Sequence, residues 1–305
     1  MDDEANLVEV FRSLRRRSCE ERALVLLAVG IEGVVTFAGA RFILWVSEGD
    51  APRALAHLRQ YESENRPAPP PPPPRPLYPN AWAGCLGYVF CLMGVAYALS
   101  AGLVRLDAFD VGDLRAASVQ SGQLWRAWTA LTLHLDGAHL AANLGAGVWF
   151  GYLAARQIGV GSAWLLIVSG AALANLLEGY FGPPDRASVG ASTAVFTALG
   201  LMAAYSWRER FQLPQRWARR WGPLIAGVIL LGWTGSGGSS EEGGSAGAEN
   251  VDIIGHIAGF AVGILLGATA ALPRCRRLLD RIPQWLAGTA ALASITIAWT
   301  FALLS

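Results

Sequence analysis

Beyond Asn80 the chain passes through seven apolar segments, roughly 81–101, 137–155, 161–177, 188–207, 221–235, 252–272 and 283–304. A helix needs about 20 predominantly apolar residues to cross a bilayer, and most of these runs meet or approach that length. The fifth is the shortest and is expected to tilt or seat loosely. Only 15% of residues are charged, well below the roughly 25% of soluble domains. The mean hydropathy is +0.36. The expected fold class is therefore mainly α, a polytopic membrane protein.

Composition removes several function classes. The net charge of +1 provides no bulk field for nucleic acid. All 24 basic residues are arginine, a compositional bias rather than a mechanism. Cys19, Cys85, Cys91 and Cys275 have neither metal-ligand spacing nor the pattern of a disulfide framework. Cys85 and Cys91 read as small buried hydrophobes. The first twenty residues are charged and lack the apolar core of a cleavable signal peptide.

The chain divides by composition. In residues 1–66 the stretch "LVLLAVGIEGVVTFAGARFILWV" is interrupted by Glu32 and Arg41 and punctuated by Gly30, Gly33 and Gly39, so it reads as a small soluble α/β unit rather than a span. A helix, "CEERALVLLAVG", leads to strands "GVVTF" and "RFILWV" across a Gly-containing turn. A second helix begins at Asp50, with Pro52 suited to its first turn. This unit is expected to be a cytosolic accessory domain. Residues 67–80 form a Pro-rich linker whose six consecutive prolines favour an extended, semi-rigid spacer. Residues 81–272 hold the first six spans, and 273–305 a cytoplasmic loop and a seventh.

Arginine placement orients the spans. "RERFQLPQRWARR" after the fourth holds five arginines and "PRCRRLLDR" after the sixth holds four, whereas "GSGGSSEEGGSAGAENVD" between the fifth and sixth holds none. By the positive-inside rule the first two are cytoplasmic. The second, fourth and sixth spans then run from outside to inside, and each carries polar residues near its outer end: His139 and Asn143, Ser192, and His256. His134 lies at the same level.

An isolated serine in a span usually bonds across helices, and an intramembrane histidine is costly enough to point to function. Gly255, Gly259, Gly263 and Gly267 recur every fourth residue, a smooth stripe along which another helix can approach. Gly190, Ala194 and Ala198 offer a matching stripe on the fourth span. Helices packed along these stripes bring the His256 imidazole toward the Ser192 hydroxyl, as a general base requires. Pro183, Pro184, Asp185 and Arg186 mark a loop before the fourth span, which puts Ser192 near the first turn, where backbone N–H groups have no intrahelical partner. His139 and Asn143 are four apart and share a helix face, where they can donate to an oxyanion together with the Ser192 amide.

"LWRAWTALTLHLDGAHLAANLGAGVWFGYL", "VGASTAVFTALG" and "GHIAGFAVGILLG" resemble, in order and separation from Trp82 to Leu272, the signature regions of the rhomboid family of intramembrane serine proteases. The resemblance implies six helices around a cavity open to the outside, with residues 283–304 as the seventh helix of some members. It implies Ser192, after Gly190, as nucleophile and His256, between Gly255 and Gly259, as base. His139 and Asn143 would be the oxyanion donors, and Trp125 and Arg126 structural. Phe196 stands where a ring usually supports the histidine, and the fifth span would be the substrate gate. Two positions depart from the pattern. Thr193 replaces the usual glycine after the nucleophile, where it would narrow the cleft or alter the oxyanion geometry. "GYLAARQIG" lacks the glutamate often found at that helix end, which would remove an interaction.

The expected function is a serine endopeptidase that cleaves transmembrane substrates near the outer face, with no cofactor or metal. Its partners would be those substrates and the lipid bilayer, and its location a bacterial inner membrane with a cytoplasmic N-terminus. The competing reading is a catalytically impaired relative that binds or escorts membrane proteins. A transporter would show inverted repeats or discontinuous helices, and no internal repeat is visible.

Overall fold

The computed structural model describes residues 6–65, 77–104, 107–210, 217–236 and 253–305. The proline run, most of the loop between the fourth and fifth apolar segments, and the acidic connection at 237–252 lie outside them. The chain forms two compact units, Met1–Pro73 and Pro74–Ser305.

The first unit runs β1 (Leu7–Ser13), α1 (Arg16–Leu27), β2 (Gly33–Ala38), β3 (Arg41–Ser47) and α2 (Ala51–Glu64). The antiparallel sheet has the order β1-β3-β2. Leu26, Leu44, Val46, Ala54 and Leu58 close its core. Gly39 and Ala40, both with positive φ, make the two-residue turn between β2 and β3, whose handedness matches strand twist. Strand β1 escaped the sequence reading because Glu9 and Arg12 interrupt its apolar alternation, and a bulge between Glu9 and Phe11 shifts its register.

The second unit begins with α3 (Trp82–Ser100). A block of short elements follows: α4 (Ala108–Gly112), β4 (Leu114–Arg115), α5 (Ala116–Gln120) and α6 (Arg126–Thr129). Then come α7 (Gly137–Ile158), α8 (Val160–Phe181), β5 (Ala187–Ser188), α9 (Ser192–Arg210), α10 (Trp217–Ser236), α11 (Ile253–Ala270), α12 (Pro273–Arg281) and α13 (Gln284–Leu304). Helices α3, α8, α11 and α13 are long and apolar enough to cross a membrane by length and composition. Helix α10, at the segment read as short, extends over 20 residues. It includes the arginine-bearing turn that the apolar pattern had left out.

Helices α7, α9 and α11 run in the same direction. Near their C-terminal ends Ser206 Oγ donates to Gln157 Oε1 at 2.7 Å, and Arg276 of α12 pairs with Glu209 at 3.3 Å. The Ser206–Gln157 bond also ties α7 to α9 at the end where the missing glutamate had predicted a lost interaction. Helix α13 belongs to the same unit. Trp299 Nε1 donates to Thr132 Oγ1 at 3.0 Å, and Gln284 Oε1 accepts from the amides of Gly161 and Ser162.

The short block ahead of α7 is held by Arg126, which is buried and forks between the Asp113 carboxylate, Gln123 Oε1 and the carbonyls of Asp113 and Asp110. Trp125 Nε1 donates to the Val111 carbonyl at 3.1 Å. Burial pushes the Asp113 carboxyl up, against the pull of Arg115 and Arg126. Arg126→Ala would leave Asp113 only the partly exposed Arg115 as a cation and strip the Asp110 and Asp113 carbonyls of their buried donor, so it is expected to cost about 3 kcal/mol. Arg126→Lys should recover little of it, because an ammonium cannot reproduce the planar fork. Thermal unfolding in detergent measures both.

Candidate active site

The loop before α9 is tied to the short block. Strands β4 and β5 pair Leu114 with Ser188 and Arg115 with Ala187, and the Gly190 amide donates to the Ala130 carbonyl at 2.9 Å. Gly190 has φ +127, a region nearly closed to residues with a side chain. A Cβ there would lie 2.8 Å from His139 Nε2 and 3.8 Å from Asn143 Nδ2. Both the backbone angle and the space demand glycine two residues before Ser192.

Helix α9 opens at Ser192. Val195 donates its amide to the Ala191 carbonyl at 2.9 Å, so Ala191 is the cap and Ser192 the first helical residue. Its N–H is thus one of the donors that a helix start leaves without an intrahelical acceptor. The Ser192 side chain is half-buried.

On one side of this turn stands α7. Asp136 caps it by accepting from the His139 amide at 2.8 Å, which puts His139 and Asn143 on its first two turns. Asn143 is buried. Its Nδ2 donates back to the His139 carbonyl at 3.1 Å, and Tyr88 Oη donates to the Asn143 carbonyl at 2.8 Å. His139 and Asn143, whose spacing predicted a shared face, therefore meet over Gly190. Asp136 and Tyr88, which hold them, were missed. An Asp three residues before the histidine is a readable capping signal, whereas nothing local marks Tyr88.

On the other side stands α11. His256 is buried in its first turn, and the Phe196 ring lies against the imidazole with centroids 4.5 Å apart, tilted by 31°. Among the described residues, helices α9 and α11 make the most extensive helix–helix contact. Cβ atoms on Gly259, Gly263 and Gly267 would stand 2.6, 2.3 and 2.2 Å from the carbonyl oxygens of Thr193, Thr197 and Leu201. The glycine stripe packs as its spacing predicts, but its counterpart differs from the expected Gly190, Ala194 and Ala198. Ala194 and Ala198 instead join the buried cluster with Ile167 and Ala171 of α8. Thr197 can face the stripe because its hydroxyl folds back onto the Thr193 carbonyl at 2.7 Å. Thr193 is buried, with Cγ2 directed at the Gly259 position. Its methyl therefore fills the α9–α11 seam rather than the space above Ser192.

His134 enters the site in a way that its position alone did not disclose. Its Nε2 accepts the Ala191 amide at 3.4 Å, and its ring stands edge-on to His139, 5.1 Å away. Burial first, and the neighbouring His139 second, push its pKa down to about 4. A depressed folded-state value means that the unfolded chain takes up the proton first. Stability is thus expected to fall as the pH is lowered from about 6.5 to about 4. His134→Gln, which keeps an acceptor without the titration, should flatten the melting temperature over that window.

The comparisons agree with this architecture. Residues 121–273 match the Rhomboid domain family model. Rhomboid protease GluP of Bacillus subtilis (strain 168) is 29% identical over 231 residues, which cover 74% of this chain and 42% of that protein. The chain thus spans about two fifths of the relative's length. With helices apolar enough to cross a bilayer, co-directional α7, α9 and α11, and a family match over half its length, the chain is an integral membrane protein of the rhomboid family.

Proposed function

We propose that this protein is an intramembrane serine endopeptidase working through a Ser192–His256 dyad on transmembrane protein substrates. Seven helices, α3, α7 to α11 and α13, are read as its spans. In this reading the arginine-rich loops are cytoplasmic, which would put the α7, α9 and α11 N-termini, and hence the site, toward the outer face; a bacterial inner membrane with the accessory unit in the cytosol goes with that orientation. The observation that supports this reading best is the seating of one helical turn. Gly190 is pressed against His139 and Asn143, while Phe196, one turn beyond Ser192, packs on the His256 ring.

In this reading Ser192 Oγ attacks the scissile carbonyl carbon as His256 takes its proton. The oxyanion is held by His139, Asn143 Nδ2 and the Ser192 amide, three preorganised donors of the kind worth about 10²–10³-fold each. Collapse breaks the C–N bond, and His256 returns the proton to the leaving amine. Water then enters from the outer face and hydrolyses the acyl-enzyme with the same base. In this reading the Phe196 ring and the close α9–α11 packing hold the imidazole in place. A serine-directed fluorophosphonate or isocoumarin probe tests the assignment. Labelling that is present in wild type and absent in Ser192→Ala carries it, and no labelling of the wild type sinks it.

A further inference from the structure

A cleft of about 560 Å³ opens in the second unit between α3, α8 and α13. Helices α3 and α13 each pack on α8 with little or no contact between them, so α8 is the floor and the other two are the walls. The Trp164 indole forms part of the floor, stacked on Tyr88 at 5.0 Å. Gly87 faces open space: a Cβ there would meet nothing within 4 Å.

The polar groups along the cleft are largely engaged. Thr132 Oγ1 donates to the Thr129 carbonyl and Thr289 Oγ1 to the Leu286 carbonyl, and Tyr88 Oη is bonded to α7. Further polar side chains gather at one end, in Tyr78, Asn80 and Gln284. That end lies beside the basic α12. The Tyr78 amide donates to the Arg156 carbonyl at 2.9 Å, Tyr78 Oη reaches Asp280 at 3.5 Å, and Gln284 follows Arg281 by three residues. Arg277 and Arg281 are exposed and have no ion-pair partner among the described residues. Trp285, 71% exposed, marks the same level as an aromatic anchor would. From Gln284 to Ile295 the α13 wall rises about 16 Å at ~1.5 Å per residue. That is about half of the ~30 Å hydrocarbon thickness, the reach of one acyl chain in its leaflet.

We infer that this cleft binds one acyl chain of an anionic phospholipid, with the headgroup at Arg277 and Arg281 and the chain end against Ala191 and Ala194. The dimensions and apolar walls suit the chain, and the arginines at a single end suit a phosphate-bearing headgroup without a compensating cation. The far end matters because Ala191 caps the helix that Ser192 begins. A filled cleft backs the turn on which the nucleophile sits. That link to rate rests on the proposed protease reading; the binding does not.

The test reconstitutes the full chain in vesicles of equal parts phosphatidylglycerol and phosphatidylcholine, extracts it in mild detergent, and counts retained lipid by native mass spectrometry. Wild type is expected to keep one phosphatidylglycerol, favoured about tenfold over phosphatidylcholine as suits an anionic headgroup among arginines. Gly87→Phe should keep neither lipid while melting as the wild type does. The exposed pair Arg277→Gln with Arg281→Gln should keep both lipids equally, and this arm decides if Gly87→Phe fails to fold. Equal retention of the two lipids by the wild type would mean annular lipid only and overturn the site. So would wild-type retention by a folded Gly87→Phe. Because the readout is bound lipid, a wild type that retains phosphatidylglycerol yet cleaves nothing sinks the protease reading and leaves this one standing.

Discussion

Ser192→Ala is expected to reduce cleavage of a reporter transmembrane substrate in liposomes by about 10⁴-fold or more, as for nucleophile removal in other serine hydrolases. The melting temperature should stay close to that of the wild type. Ser192 is the first residue of α9 and half-buried, so losing its hydroxyl opens no sizeable cavity. His256→Ala should lose as much activity, since members of such a unit are grossly non-additive, but it should also soften the protein. The imidazole is buried against Phe196, and its removal leaves a void beside that ring. Equal loss of activity with unequal loss of stability distinguishes a dyad from two unrelated structural residues. Cleavage by Ser192→Ala at the wild-type rate would end the nucleophile assignment.

Gly263→Leu should be among the most disruptive substitutions in the bundle. Even a Cβ at this position would lie 2.3 Å from the Thr197 carbonyl oxygen and 3.0 Å from the Leu201 amide nitrogen, and neither is a flexible side-chain end that could swing away. The helices must separate along their length or the side chain must find another register. Overpacking in a well-packed core costs about 1–3 kcal/mol, and backbone on the receiving side puts this case at or beyond the upper end. Thermal unfolding should show a large drop, and probe labelling of Ser192 should fall with it, because α9 and α11 carry the proposed nucleophile and base. Gly94→Leu is the control: its added side chain enters open space on α3, outside the cleft, and should leave the melting temperature nearly unchanged. A Gly263→Leu protein as stable as wild type would mean that the α9–α11 seam is looser than these distances require.

Much of this was legible before any coordinates. Segment lengths marked the helices, because a bilayer requires runs of roughly 20 apolar residues. The four-residue glycine period of α11 marked a helix made for close approach. The i, i+4 spacing of His139 and Asn143 marked a shared face. Other features were hidden because they depend on partners distant in sequence. The strip of α9 that receives the glycines is Thr193, Thr197 and Leu201, which a search for small residues passes over. Thr197 qualifies only because its hydroxyl turns back onto its own helix. The Thr193 methyl was expected near the reacting groups and lies in the seam between helices. The role of His134 depends on a loop amide 57 residues away.

Residue types and their periods were enough to determine that this chain enters a membrane as helices, and which few polar groups it carries at one level of them, because both follow from local hydropathy and helical geometry. Only the tertiary structure decided which faces meet, that Gly190 must yield its side-chain space to His139 and Asn143, and that α3 and α13 stand apart to leave an apolar cleft behind the turn of Ser192. Those outcomes depend on how closely backbones approach across helices, and no pattern along a single helix encodes that distance.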